Sequence, residues 1–248
     1  MRETTDVLVI GAGAAGLRAA CAAAAGGARV LTVSRGGAAS PEIMGFNAPV
    51  EPGDSPESFF RDLTAAGCGI GRESLARTMA ETAAGEIGFL ESLGMTFDRR
   101  PDGSCHTLHT LGCSHPRLVH HQALTGAEEL RLLRRRCQEL GVEFREGIAV
   151  TDLVLRGGAA AGAAGVRVSD GEWTEYVCRA VVLASGGGSA VRQISTYPAA
   201  CVGDGYAIAC RAGAELTDME FQQFEPCAFV WPETLAGRIV PTTLLRAG

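Results

Sequence analysis

Three groups of residues in this 248-residue chain have the type and spacing to do chemistry. The first is Gly11, Gly13 and Gly16, which follow the apolar run Asp6–Ile10 and open an alanine-rich segment. In that order the glycines permit a tight turn, let the backbone approach a pyrophosphate, and let helix and strand pack closely. Ala14 and Ala15 then start a helix whose N–H groups and positive dipole end favour the same anion. The second group repeats the device: Val181–Ala184 ends in Ser185-Gly186-Gly187-Gly188, and Gly203-Asp204-Gly205 opens another helix. The third is Cys105–His121, which holds all five histidines and two cysteines. Its spacings match no common zinc pattern. It therefore reads as the polar wall of a cofactor or substrate pocket, with no metal, or else as loop histidines without a task.

After the second apolar run, Arg29–Val33, a ribose-binding Asp or Glu is replaced by Ser34-Arg35. Ser34 can bond one ribose hydroxyl. Arg35 could cover an adenine or meet a 2′-phosphate, which at this point keeps NADP open beside the other dinucleotides.

The elements that must position these groups follow from pattern. Asp6–Ile10, an Ala-rich helix and Arg29–Val33 form a βαβ unit. Ser55 caps a helix with Pro56 at its first position. A longer helix over Glu73–Leu93 carries Leu75, Met79, Ala83, Ile87 and Leu90 at helical spacing, which predicts a core face. Thr125 and Glu128 read as a capping box opening a helix to Leu140, with Leu130, Leu133, Cys137 and Leu140 inward and Arg134–Arg136 solvated. Val142–Arg145 is a strand. Ala149–Leu155, Gly165–Val168 and Glu175–Cys178 read as an antiparallel meander, with Gly157–Gly165 as a flexible connection. Leu216–Trp231 reads as a strand leading out of the domain. A meander placed before the second glycine turn suits a flavoprotein of the two-dinucleotide-fold type better than a nicotinamide dehydrogenase.

Composition narrows the partners. A net charge of −6 argues against nucleic acid or an anionic membrane surface. No apolar run is long enough to span a membrane, and the first strand begins almost at Met1, so the expected location is cytoplasmic. Nine cysteines without a CxxC pair predict reduced thiols.

With DVLVIGAGAAGL, Gly45-Phe-Asn47-Ala48, GDSPESFFRDLTAAG, Ser114-His115-Pro-Arg117, Leu124-Thr-Gly126, VVLASGGG, Gly203-Asp-Gly205, RAGAEL and Met219-Glu-Phe-Gln-Gln-Phe in this order, the chain resembles the flavoprotein subunits of the succinate dehydrogenase, fumarate reductase and L-aspartate oxidase family. The resemblance implies an α/β fold: a Rossmann-like FAD-binding domain with a central parallel sheet and an antiparallel meander over 1–218, then the truncated start of a capping domain over 219–248. It implies noncovalent FAD, because no histidine precedes His106 where flavinylated members carry theirs. Gly11, Gly13, Ala14, Ala15 and Gly16 would hold the pyrophosphate, with Ser34 and Arg35 near the adenosine. Gly45, Asn47 and Ala48 would pass beside the isoalloxazine, with Ser185, Gly186, Gly187 and Asp204 completing the wall.

The implied function is an FAD-dependent oxidoreductase that moves a hydride between flavin and a small organic substrate such as a carboxylic acid. The alternatives are a flavin-binding fragment without turnover and a nicotinamide-dinucleotide module. Catalytic candidates are Arg246, Thr242, Glu225, His115 and Arg117. Glu225 stands where the family has a substrate-holding histidine, and Thr243 where fumarate reductases have a relay carboxylate. The family continues past the position of Gly248 with the rest of the cap and the proton-donating arginine, so a partner chain could supply that half.

Overall fold

The computed structural model describes residues 1–223 and 228–240. In chain order the elements are β1 (Arg2–Thr4), β2 (Val7–Ile10), α1 (Ala14–Ala25), β3 (Val30–Ser34), β4 (Phe46–Asn47), α2 (Pro56–Ala66), α3 (Glu73–Ser92), β5 (Thr107–Leu108), β6 (Leu118–Val119) and α4 (Thr125–Glu139). They continue with β7 (Glu143–Glu146), β8 (Ile148–Arg156), β9 (Ala159–Arg167), β10 (Trp173–Val177), β11 (Ala180–Leu183) and α5 (Asp204–Arg211). The chain divides into two units, one made of Met1–Ala39 with Cys137–Gly248, the other of Ser40–Arg136.

In the first unit the strands β11-β2-β3-β7 form an all-parallel sheet. Leu8, Val9 and Val33 are fully buried, as expected of unbroken apolar runs in a sheet covered on both faces. The crossover helix α1 buries Gly16, Leu17, Ala20 and Cys21. A second sheet, β1-β10-β9-β8, is antiparallel except for the β1–β10 pair. Leu8, Ile10, Leu31 and Val33 pack in one core with Ile148, Ala163, Tyr176 and Cys178, so the two sheets share their apolar interior. The fold is α/β with a parallel sheet and a meander, as the motifs imply.

The second unit contains α2 and α3, packed through Phe59, Phe60 and Ala80, and the small antiparallel sheet β4-β6-β5. Ser55 caps α2 by accepting the Ser58 N–H.

Four local expectations are corrected. The stretch Gly157–Gly165 is no flexible connection: only Gly157 and Gly158 turn, both with positive φ, and β9 runs from Ala159. Its small residues let it lie tightly between its neighbours; a Cβ on Gly165 would sit 3.0 Å from the Ala149 carbonyl. In α3 the buried face is Ala80, Ile87 and Leu90, while Leu75 and Met79 are exposed, because small alanines face α2. Thr125 is not a cap. Its buried hydroxyl donates to the Met44 carbonyl and accepts the His121 N–H, while Glu128 pairs with Arg131 and its N–H bonds Leu124 O. Lastly, among the described residues of 216–231 there is no strand, only an isolated bridge from Ala228 to Ile239. Leu216, Met219, Phe221 and Trp231 are exposed there, with no sheet edge to pair with.

Candidate functional site

In the first unit the glycine-rich groups come together. β2, β3 and β11 run parallel, so their carboxyl ends share one edge of the sheet. That edge carries Gly11, Ser34-Arg35 and Ser185–Gly188, and the chain leaves β2 for β3 on one side while β11 flanks the other. This is a topological switch point, the place where open α/β sheets hold ligands. Gly11 has φ of +112°, and its N–H bonds the Val33 carbonyl at 2.8 Å. A Cβ there would collide with the Ala184 carbonyl, and one on Gly16 with the Gly11 carbonyl. No side chain caps α1 at Gly13, and its first turn has no acidic residue. With no carboxylate against it, the positive dipole end of α1 favours an anion, and the close-packed turn gives a backbone-lined approach to it.

The second glycine turn interlocks with α5. The Ser185 hydroxyl lies where a Cβ on Gly205 would be, and Gly188 meets Gly203 Cα-side on. Arg35 joins the two ends: its guanidinium pairs with Asp204 at 3.2 Å and donates to the Ala200 carbonyl. Two residues expected along the cofactor thus hold each other, and they tie the end of β3 to the start of α5. A cleft of about 310 Å³ beside this region is lined by Ser189, Arg192, Thr196, Tyr197 and Gln222, with Arg192 bonded to the Gln222 amide oxygen at 2.7 and 3.0 Å.

In the second unit, Gly45 abuts the Val119 carbonyl, where a Cβ would lie 2.6 Å away. Ala48 is fully buried and donates its N–H to the Arg117 carbonyl at 3.0 Å. Thr110 donates its hydroxyl to Asn47 Oδ1 at 3.4 Å and also contacts Cys113.

Arg117 has no exposed surface. Its guanidinium takes both Asp54 oxygens at 2.7 and 2.8 Å, bonds Asp62 and the Ser58 hydroxyl, and lies 5.0 Å over the Phe59 ring. Burial opposes its charge, but the two carboxylates raise its pKa above the usual arginine value. Burial likewise pushes Asp62 up, and the Ser114 N–H, Arg117 and the Ser114 hydroxyl outweigh it and hold the carboxyl at about 2. So saturated a guanidinium positions the 114–117 loop, and His115 rides on it, 3.1 Å from the Ser114 hydroxyl and 3.5 Å from Asp54. Asp54, Ser58 and Asp62 were not among the candidates: Ser58 and Asp62 share one face of α2 at i, i+4 spacing, and Asp54 precedes the Ser55 cap.

The remaining histidines separate. His106 and His120 face each other at 3.1 Å with Asp98 behind His120, and His121 bonds the Thr96 carbonyl. Among the described residues no group of three or more His, Cys, Asp or Glu converges to hold a metal ion. No described helix is long and apolar enough to cross a membrane. Glu225, Thr242 and Arg246 lie outside the described residues.

The FAD binding domain family matches residues 6–245. The chain belongs to that family. FAD is its cofactor, which closes the nicotinamide alternatives left open at Ser34-Arg35. It is 32% identical over 98% of its length to a fumarate reductase (CoM/CoB) subunit of Methanothermobacter marburgensis, of which it covers 46%. It is 35% identical over 92% of its length to the L-aspartate oxidase of Synechocystis, covering 42% of that protein. Among solved structures, Sdh1 of Mycobacterium smegmatis superposes with a TM-score of 0.91 at 33% identity, over 99% of this chain and 44% of that one. The FrdA chain of Escherichia coli quinol fumarate reductase gives 0.90 at 27% identity, over 100% and 43%. The chain therefore spans less than half the length of these relatives. The fumarate reductase, succinate dehydrogenase and L-aspartate oxidase flavoproteins are the members it is similar to. The residues present fit FAD: the turn at Gly11–Gly16 is closed to any Cβ at two positions, and the first turn of α1 carries no acidic side chain to repel a diphosphate.

Proposed function

We propose that this chain is the FAD-holding part of an oxidoreductase that transfers hydride between flavin and a small organic acid. Bound FAD supplies the hydride chemistry at N5, and the protein supplies binding, orientation and electrostatics. Gly11, Gly13, Ala14, Ala15 and Gly16 hold the pyrophosphate in the turn they form between β2 and α1, at the positive end of the helix. Ser34 bonds the ribose, and Arg35, fixed by Asp204, covers the adenosine end. Ser185, Gly186 and Gly187 line the same approach. Gly45, Asn47 and Ala48 take the role the family resemblance gives them, beside the flavin ring, and the His115 region takes the one it gives there, near the active-site cavity. The cofactor is held without a covalent bond. Residues 1–218 form the FAD-binding domain and 219–248 begin a capping domain, which a further stretch of the protein or a partner chain completes.

The observation that carries this reading is the meeting of two glycine turns and the Arg35–Asp204 pair at one sheet edge, in a chain of the FAD binding domain family. The relatives' names point to fumarate, succinate-type acids and aspartate as the substrate class. The test is anaerobic and has two arms: flavin reduced photochemically, without dithionite, is mixed with unsaturated acids, and oxidised flavin is mixed with saturated and 2-amino acids. Reoxidation of flavin by the first class or its reduction by the second, saturable in acid concentration, is expected; flavin redox rates equal with and without every acid in both arms would overturn the assignment.

A further inference from the structure

The buried thiols of Cys21 and Cys137 lie 3.2 Å apart, sulfur to sulfur, although 116 positions separate them. Cys21 sits on the buried face of α1 at 3% exposure and Cys137 near the end of α4 at 0%. The Cys137 thiol also donates to the Leu17 carbonyl, one turn before Cys21 on α1, at 3.4 Å. Both cysteines belong to the first unit, and Cys137 is its first residue after the whole of Ser40–Arg136. We propose that Cys21 and Cys137 are a redox-modification site that closes to a disulfide under peroxide, stapling α1 to the point where the chain re-enters the first unit.

The sulfurs need approach by only about 1.2 Å to reach a bonded S–S distance of about 2.05 Å. The reaction balances without any group beyond a small uncharged peroxide. One cysteine sulfur attacks an oxygen of hydrogen peroxide, becoming a sulfenic acid as the first water leaves. The second thiol attacks that sulfur, the S–S bond forms, and a second water leaves. Two thiols and one peroxide give one disulfide and two waters. Burial excludes glutathione and other large disulfides as direct oxidants, so the pair answers to small molecules alone. The closed loop contains the entire second unit, and a crosslink over so long a loop restricts the unfolded chain strongly. The oxidised protein is therefore expected to melt higher. The rest of the described cysteines serve as internal references: Cys68 and Cys210 are exposed, Cys105 and Cys113 half-buried, and Cys178 and Cys201 buried.

The experiment uses the FAD-loaded chain. Exposed thiols are first blocked with N-ethylmaleimide in the native state, then hydrogen peroxide is added and removed. The protein is denatured, remaining thiols are alkylated with iodoacetamide, and peptides are mapped without reduction. A crosslinked peptide pair containing Cys21 and Cys137, loss of their iodoacetamide label, and retained label on Cys178 and Cys201 are expected, with a raised melting temperature reversed by dithiothreitol. Cys137→Ser and, separately, Cys21→Ala should each abolish the crosslink. Because wild-type mapping decides the matter, a variant that fails to fold changes nothing. Iodoacetamide label on Cys21 and Cys137 equal to that on Cys178, at a peroxide dose that oxidises Cys68 and Cys210 in a sample not treated with N-ethylmaleimide, would overturn the proposal.

Discussion

Glu129 is the sharpest place to test the energetics of this fold. It lies on α4 at 8% exposure, and its Oε2 has no hydrogen-bond partner among the described residues. Burial, with the Glu86 carboxylate adding to it, pushes its pKa from the ordinary 4.5 up to about 7. A carboxyl raised in the folded state binds its proton more tightly there than in the unfolded chain. The Glu129 contribution to stability is therefore most favourable below about pH 4.5, falls as pH rises, and reaches its full deficit above about 7. At about 1.4 kcal/mol per unit, the deficit is about 3 kcal/mol. Glu129→Gln keeps the shape and removes the charge. It should leave stability within about 0.5 kcal/mol of the parent near pH 4.5, and raise it by about 2–3 kcal/mol at pH 8, which for a domain of this size is about 4–12 °C in Tm. Urea unfolding followed by circular dichroism at the two pH values measures both. A difference between parent and variant that is the same at pH 4.5 and pH 8 would refute the reasoning.

Four further outcomes are expected. Arg117→Met should destabilise the chain by about 3–5 kcal/mol, since it leaves Asp54 and Asp62 buried without their cation; thermal melts check it, and a loss below about 1 kcal/mol would contradict the pairing. The Asp62 part of that stability is present above the ordinary carboxylate range and lost as pH falls through about 2, so acid titration of Arg117→Met should be flatter there than the parent's. Gly16→Ala forces a methyl against the Gly11 carbonyl, and equilibrium dialysis should show FAD affinity falling at least tenfold with the far-ultraviolet spectrum kept. With the substrate-facing place that the family resemblance implies for position 225, a carboxylate repels a dicarboxylate by roughly 1–4 kcal/mol at contact distance, so in a protein with turnover Glu225→His should shift preference toward dicarboxylic acids, read as a ratio of kcat/KM values.

Much of the fold was legible because its signals are local. The run Val7–Ile10, the turn at Gly11–Gly16 and the second turn at Ser185–Gly188 each state their own geometry, and the structure joins them at one sheet edge. What escaped depends on partners distant in sequence. The helical stripe through Leu75 and Met79 is real, yet α2 presents Phe59 and Phe60 to alanines on the adjoining face. Thr125 has the spacing of a cap, but the Met44 carbonyl, 81 positions away, claims its hydroxyl. Gly157–Gly165 looks flexible by composition, whereas small side chains are what a strand squeezed between two others requires. The site followed the same division: the glycines were readable, but the Arg35–Asp204 pair and the burial of Arg117 between two aspartates appear only when the chain is folded.

The central claim is that the edge formed by β2, β3 and β11 holds FAD, in preference to a nicotinamide dinucleotide and without a covalent bond. One titration tests it. Apo-protein is saturated with FAD in the presence of excess NAD and NADP, separated from free ligand, and precipitated with acid. A yellow protein with stoichiometric FAD, unmoved by either nicotinamide, is expected, with all of the flavin in the acid supernatant. Displacement of FAD by NAD or NADP, or flavin that stays with the precipitate, would contradict it.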